Sequence, residues 1–339
     1  MTASSRDHTP FEYHGGLHLR ETILWMDAVE PRPLCFVSHA GVRGAQEHQK
    51  IISTAHTADL LRALAATHGR GRKAREPQAL VTPTGRKFTL GNLSLELFPS
   101  GHCLGSASLL VRHEGQDLVY AGDINPRRGA LTQPLEARHC DVLVLPVRQA
   151  RREFVLPPRE QVQESLLRYV QDGLEDGASV VIFCQPLGEA QEVAHLLLHN
   201  EIQVKAHRRV DMACRVYSEA GISLDGVKQL GRTKSTNPAV LIWPLSLRNS
   251  PTLRKFSGAR TALVGPEALD PEARRLASCD AAFPLSCRAD YNGLIEYIKA
   301  CQPGKVILHA EPTTDLEQDL RALGMEVTSL GQPTQMDLF

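Results

Sequence analysis

Apolar residues in the first 150 positions fall in short runs broken by turn residues, which predicts β-type segments over 34–37, 87–98, 107–111, 118–121 and 142–145. One stretch, 57–68, instead repeats its apolar positions at helical spacing and stops at Gly69. The following 69–77, rich in Gly, Arg and Lys, is expected to be a solvated loop. After Pro157-Pro158 the pattern changes to alternating helices (159–172, 188–199, 211–220) and buried strands (179–184, 202–206, 239–244, 260–264). That alternation implies a parallel sheet flanked by helices. A further stretch begins at 283–289 and continues as helix 290–300, strand 305–308 and helix 314–323, with a tail over 331–339. No internal repeat is present.

Composition narrows the class. With 339 residues, 42% hydrophobic and 22% charged, the chain has the profile of a soluble globular protein of one large domain or two ordinary ones. Lysine plus arginine equals aspartate plus glutamate at 38 each, so any contact with nucleic acid must come from a local patch. Eight cysteines without a CxxC pair point to free thiols in a reducing cytoplasm. Residues 1–9 are polar, without the apolar core of a signal peptide, and no apolar run approaches the ~20 residues needed to span a bilayer.

The candidate chemistry starts at Ser38-His39-Ala40-Gly41-Val42-Arg43-Gly44. Four further stretches follow in order: Gly101-His102-Cys103-Leu104-Gly105-Ser106-Ala107, Ala121-Gly122-Asp123, Leu285-Ser286-Cys287-Arg288-Ala289-Asp290 and Ile307-Leu308-His309-Ala310. Together they resemble the motifs of the metallo-β-lactamase fold with a β-CASP insertion, and within it the bacterial ligase-associated DNA exonucleases. Gly16-Leu17-His18-Leu19, Trp25-Met26-Asp27, Pro186-Leu187-Gly188-Glu189-Ala190-Gln191 and Val216-Tyr217-Ser218-Glu219-Ala220-Gly221 add to the likeness.

The resemblance implies a four-layer αββα domain built from 1–157 and 283–330, an inserted β-CASP α/β domain over 158–282, and a tail over 331–339. It also implies two zinc ions. The first would need His39, the residue at Gly41, His102 and Asp123; the second would need the residues at Arg43 and Gly44 with Asp123 and His309. Neither glycine nor a guanidinium binds zinc. The family's general-acid histidine falls at Arg288, beside Asp290, and a guanidinium releases no proton at neutral pH. Where a further acidic residue is expected, the chain has Pro146-Val147-Arg148. His39, His102, Asp123, Asp290 and His309 are therefore vestiges, and no intact catalytic set or resident metal is expected. The alternative is one zinc or manganese ion at His39, His102 and Asp123, with the Cys103 and Cys287 thiols nearby.

Arg43 and Arg288 put fixed positive charge where metals would sit, and an arginine network on Asp123 is expected. Those arginines either neutralise a buried carboxylate or grip a backbone phosphate. Arg148, Arg151, Arg152 and Arg159 are candidates to extend such a DNA-binding surface, with Lys205, Arg208 and Arg209 a weaker second group. Gln335-Met336-Asp337-Leu338-Phe339 resembles the pentapeptide by which bacterial repair and replication proteins dock on the sliding clamp. The expectation is a cytoplasmic, catalytically degenerate nuclease acting as a clamp-associated DNA-binding or scaffold protein, with an active nuclease or other repair protein as partner and no membrane contact. The alternative is a one-metal exonuclease or phosphodiesterase.

Overall fold

Alternation of inward and outward side chains decides how the ends of the chain fold. The computed structural model describes residues 10–67, 77–148, 150–231, 238–256, 258–310 and 314–330. One sheet takes its six strands in chain order: Phe11–Tyr13, Leu17–Leu19, Trp25–Met26, Leu34–Phe36, Lys50–Ser53 and Gln78–Val81. A second sheet has the spatial order Glu326–Leu330, Lys305–Ala310, Val142–Val147, Gln116–Tyr120, Ala107–His113, Leu93–Pro99 and Lys87–Leu90. Its strands are parallel from Glu326–Leu330 through Gln116–Tyr120 and antiparallel beyond.

Every second residue of the second sheet faces the first: Leu95, Leu97, Leu109, Tyr120 and Val144 meet Phe11, Leu17, Met26, Phe36 and Ile52 in one core. The intervening residues Val119, Leu143, Leu145 and Leu308 pack outward against helices Tyr291–Cys301 and Thr314–Ala322. Helix Ala55–Ala65 covers the far side of the first sheet through Leu60, Leu61 and Leu64. The layers run helix, sheet, sheet, helix. Each fully buried Leu, Ile or Phe contributes about 1.5–3 kcal/mol, so this alternation dominates local propensity.

The middle of the chain builds a third sheet, wholly parallel, in the order Val227–Gln229, Val204–Ala206, Val240–Pro244, Val180–Cys184, Arg260–Val264 and Ala281–Phe283. Helices Arg159–Glu175, Glu189–His199 and Arg208–Glu219 cover one face. The core beneath them runs on into the core of helix Ala55–Ala65. Two hydrogen bonds reinforce that contact: Arg208 Nη2 donates to Ala66 O at the end of the helix (2.9 Å), and Leu104 N donates to Tyr217 Oη (3.0 Å). Entry and exit of the middle segment meet at Asp290. One of its oxygens caps helix Tyr291–Cys301 through Gly293 N (2.9 Å), while the other accepts from Leu156 N (2.9 Å) and Arg127 Nη2 (2.6 Å).

Several expected boundaries move for local reasons. The single run 87–98 is a hairpin, Lys87–Leu90 paired with Leu93–Pro99, because Gly91 takes a positive φ (+59°) and turns the chain. The first helix starts at Ala55, since Thr54 caps it by accepting from Thr57 N. The third helix of the middle segment starts at Arg208, after His207 caps it. The expected loop 69–77 lies outside the described residues except for Pro77, and so does the whole tail 331–339. No helix among the described residues is long and apolar enough to cross a membrane.

Candidate functional site

The site gathers where strands end. His39 follows Leu34–Phe36, His102 follows Leu93–Pro99, Asp123 follows Gln116–Tyr120 and Arg148 follows Val142–Val147. Arg288 enters from the loop before helix Tyr291–Cys301. The loops are held by specific bonds. Asp27, a partly buried carboxylate quoted above only within the stretch 25–27, accepts from Ser38 N (2.8 Å) and Tyr120 Oη (2.9 Å) and so fixes the residue before His39. Thr54 and Thr57 both donate to Gly105 O, at 2.6 and 2.8 Å, and fix the loop carrying His102.

Asp123, 8% exposed, is the centre. Arg288 Nε donates to its Oδ2 at 2.7 Å; His39 Nε2 lies 3.4 Å and His102 Nε2 3.9 Å from the same oxygen. Arg288 also reaches Glu189 Oε1 through Nη1 at 3.7 Å. Glu189 is fully buried, and its Oε2 has no hydrogen-bond partner among the described residues. The guanidinium is thus clasped between a carboxylate of the two-sheet body and one of the middle segment. Arg148 Nε stands 3.8 Å from Asp123 Oδ1 on an exposed side chain.

Protonation follows from these contacts. Burial alone would raise Asp123, but Arg288 and His39 override it and hold the carboxyl well below the usual range. Burial, the Arg288 charge and His39 push His102 down to about 3. His102 Nδ1 donates to Cys287 O (2.8 Å), a group that only accepts, so Nε2 keeps its lone pair. Burial opposes charge on His39, yet its bonds to Asp123 and Cys103 prevail and raise it. In its neutral form His39 accepts at Nδ1 from Gly41 N–H (3.1 Å) and carries its hydrogen on Nε2, facing Asp123. Burial raises Glu189.

This arrangement does not fit a two-metal centre. The carboxylate that would bridge the ions is occupied by a guanidinium. A Cβ at position 44 would lie 2.0 Å from Val29 O, on a backbone with φ of +77°, so a histidine there needs a different chain path. A Cβ at Gly41 would come within 2.9 Å of the His39 ring. His309 rests against Tyr13, with ring centroids 5.3 Å apart, and burial and Arg148 push it down to about 4. Among the described residues, three donors lie close enough to hold one ion, His39, His102 and Cys103, within 4.8 Å of one another. Asp123 Oδ2, at 3.4 and 3.9 Å from the same two imidazoles, borders this group but is engaged by Arg288.

Other expected site residues are placed elsewhere or differently. Arg43 makes no ion pair among the described residues, so the expected network on Asp123 holds Arg288 but not Arg43. Arg43 instead lines a cavity of about 670 Å³ over the site, together with His39, His102, Leu187, Arg209 and Arg288. Arg151 and Arg152 do not line it. Arg151 pairs with Glu153 (3.3 Å) and Asp270 (3.5 Å), and Arg152 with Asp319 (2.6 Å) and Asp315 (3.5 Å), two carboxylates of the last helix. Arg159 forms an ion pair with Glu192 at 2.7 Å. Asp290 serves as helix cap and chain clamp, with no contact to Asp123 among its bonds. Residues 335–339 lie outside the described residues. Glu189 was missed as a site residue; its signal is an acid opening a helix inside the motif 186–191.

The relatives of this mixed α/β protein support a β-CASP-like nuclease family. The chain is 31% identical over 329 residues to a probable DNA ligase of Opitutus terrae, a match covering 96% of this chain and 32% of that protein. It is 29% identical over 114 residues to an RNase J-like protein of Methanocaldococcus jannaschii (33% of this chain, 27% of that one). A ribonuclease of Thermus thermophilus is 32% identical over 114 residues (33% and 26%). The chain thus spans about a third of these relatives' length or less. No protein-family model matches it. A crystal structure of a protein of unknown function from Enterococcus faecalis V583 shares the fold, with a TM-score of 0.55 at 15% identity, over 81% of this chain and 74% of that one.

Proposed function

We propose that the protein is a catalytically silent member of the metallo-β-lactamase/β-CASP nucleases that binds nucleic acid in bacterial DNA repair or replication. In this reading 1–157 and 283–330 form the αββα domain, 158–282 is the inserted β-CASP domain, and residues 335–339 dock on the sliding clamp in the cytoplasm. The observation that carries it is Arg288 on Asp123 at 2.7 Å. Hydrolysis of a phosphodiester in this family of sites needs a metal to acidify water and hold the phosphate. A fixed guanidinium neutralises the carboxylate without doing either. DNA rather than RNA is favoured because a segment like this chain makes up 32% of a protein named a probable DNA ligase. A ligase or an active nuclease is the partner expected beside the clamp.

The three-donor cluster of His39, His102 and Cys103 favours one competing reading, a one-ion zinc or manganese phosphodiesterase. Elemental analysis after incubation with zinc or manganese and desalting separates the two. The silent reading expects no stoichiometric metal, no cleavage of labelled DNA, and clamp capture that disappears in Gln335→Ala. One ion per chain with cleavage lost in His102→Ala would overturn it.

A further inference from the structure

We infer that His195 and His199, at the carboxyl end of helix Glu189–His199, form a chelating site for a divalent transition-metal ion. Neither residue lines the cavity over Asp123, so the site is independent of the reading proposed for that cavity.

The helix fixes the geometry. Ala190, Val193, Ala194 and Leu197 are buried in the core of the middle segment and pin one face of the helix against its sheet. His195 and His199, four positions apart, therefore rise one turn from each other on the outward stripe, the first half-buried and the second exposed. Their rings are within 10° of parallel, with centroids 6.1 Å apart. Two imidazoles bound tetrahedrally to one ion at about 2.0–2.1 Å set their ring centres roughly 5 Å apart, so a small rotation of the exposed His199 ring closes the chelate.

The donors are uncommitted. Neither ring makes a hydrogen bond or ion pair among the described residues. His18 is the contrast, with Glu12 and Thr22 O engaging both of its nitrogens at 2.8 Å. Glu192, one turn earlier on the same stripe, is held by Arg159 at 2.7 Å and supplies no third ligand, so water completes the shell. An all-imidazole donor pair suits nickel, copper and zinc, whereas magnesium and manganese prefer oxygen. The free carbonyls of the helix's last turn add negative potential, which favours a cation there. With two protein donors the ion exchanges with solvent, so it is read at equilibrium and not after desalting.

Isothermal titration calorimetry of the full chain with nickel chloride tests this, with manganese and magnesium chloride alongside. The parent protein should take up one nickel ion at this site, bind manganese far more weakly and ignore magnesium. His195→Ala and His199→Ala should each weaken nickel binding by about tenfold or more, because the second imidazole binds intramolecularly. His102→Ala should leave the event unchanged, which separates it from an ion held by His39, His102 and Cys103. Melting temperatures without metal should match in all variants, and nickel should raise that of the parent and His102→Ala but not of the two helix variants. No nickel uptake by the parent, uptake indifferent to both helix variants, or uptake lost in His102→Ala overturns the site.

Discussion

Arg288 and Arg43 line the same cavity under opposite conditions. Arg288 has two buried carboxylates and little solvent; Arg43 is exposed and has no ionic partner among the described residues. The sequence treats them alike, as two cations standing at lost functional positions. Depth separates them. A charge taken out of water must be compensated by its neighbours, so the deep arginine becomes part of the framework. A charge left at the mouth is compensated by solvent and stays available to a ligand.

The strongest way to break this comparison is to remove the deep cation. Arg288→Ala leaves Asp123 and Glu189 buried without the guanidinium that both face and should cost about 3–5 kcal/mol in chemical unfolding. Adding Asp123→Asn should recover much of the loss, because the uncompensated charge goes with it. If Arg288→Ala unfolds like the parent protein, the framework role fails.

Backbone comes next. Gly44→Ala sets a Cβ against Val29 O on a left-handed backbone, and should destabilise by about 2 kcal/mol or more. Restoring a histidine at 44 would meet the same obstacle. A well-folded Gly44→His protein that takes up zinc would refute that limit.

Acid should act through the buried histidines. Unfolded histidine titrates near 6.5, while His102 and His309 are held near 3 and 4. Between those values the unfolded chain binds more protons, so stability falls as pH drops from about 6.5 toward 4. Melting temperatures across that window should show the slope, and His309→Gln should flatten it. His39, shifted upward, contributes in the other direction, stabilising below 6.5 and losing that contribution in alkali. The smallest effect belongs to Arg43→Ala, which should change stability by under ~0.5 kcal/mol.

Much of this was legible in the sequence because it rests on periodicity and composition. The parallel sheet of the middle segment follows from its alternating helices and buried strands, and the position of Arg288 beside Asp123 follows from motif order. Strands of two or three residues, such as Leu17–Leu19 and Trp25–Met26, were not legible. Their stability comes from the facing sheet, and so few residues carry no period of their own. The partners of Arg151 and Arg152 were hidden for a related reason. Asp270, Asp315 and Asp319 lie more than a hundred residues away, and no local pattern announces a pairing set by tertiary approach. Cys103 is next to His102 in the sequence, but only the fold brings its thiol within 4.8 Å of both imidazoles.

The clamp at Asp290 has a topological consequence. Leu156 and Asp290 are joined by a 2.9 Å hydrogen bond although 134 positions separate them along the chain. The intervening polypeptide therefore leaves and re-enters the body at nearly one point, as a closed loop does. Closing so long a loop has an entropic cost that grows only with the logarithm of its length. Material can thus be added to or trimmed from the middle segment with little effect on how the two ends of the chain find each other.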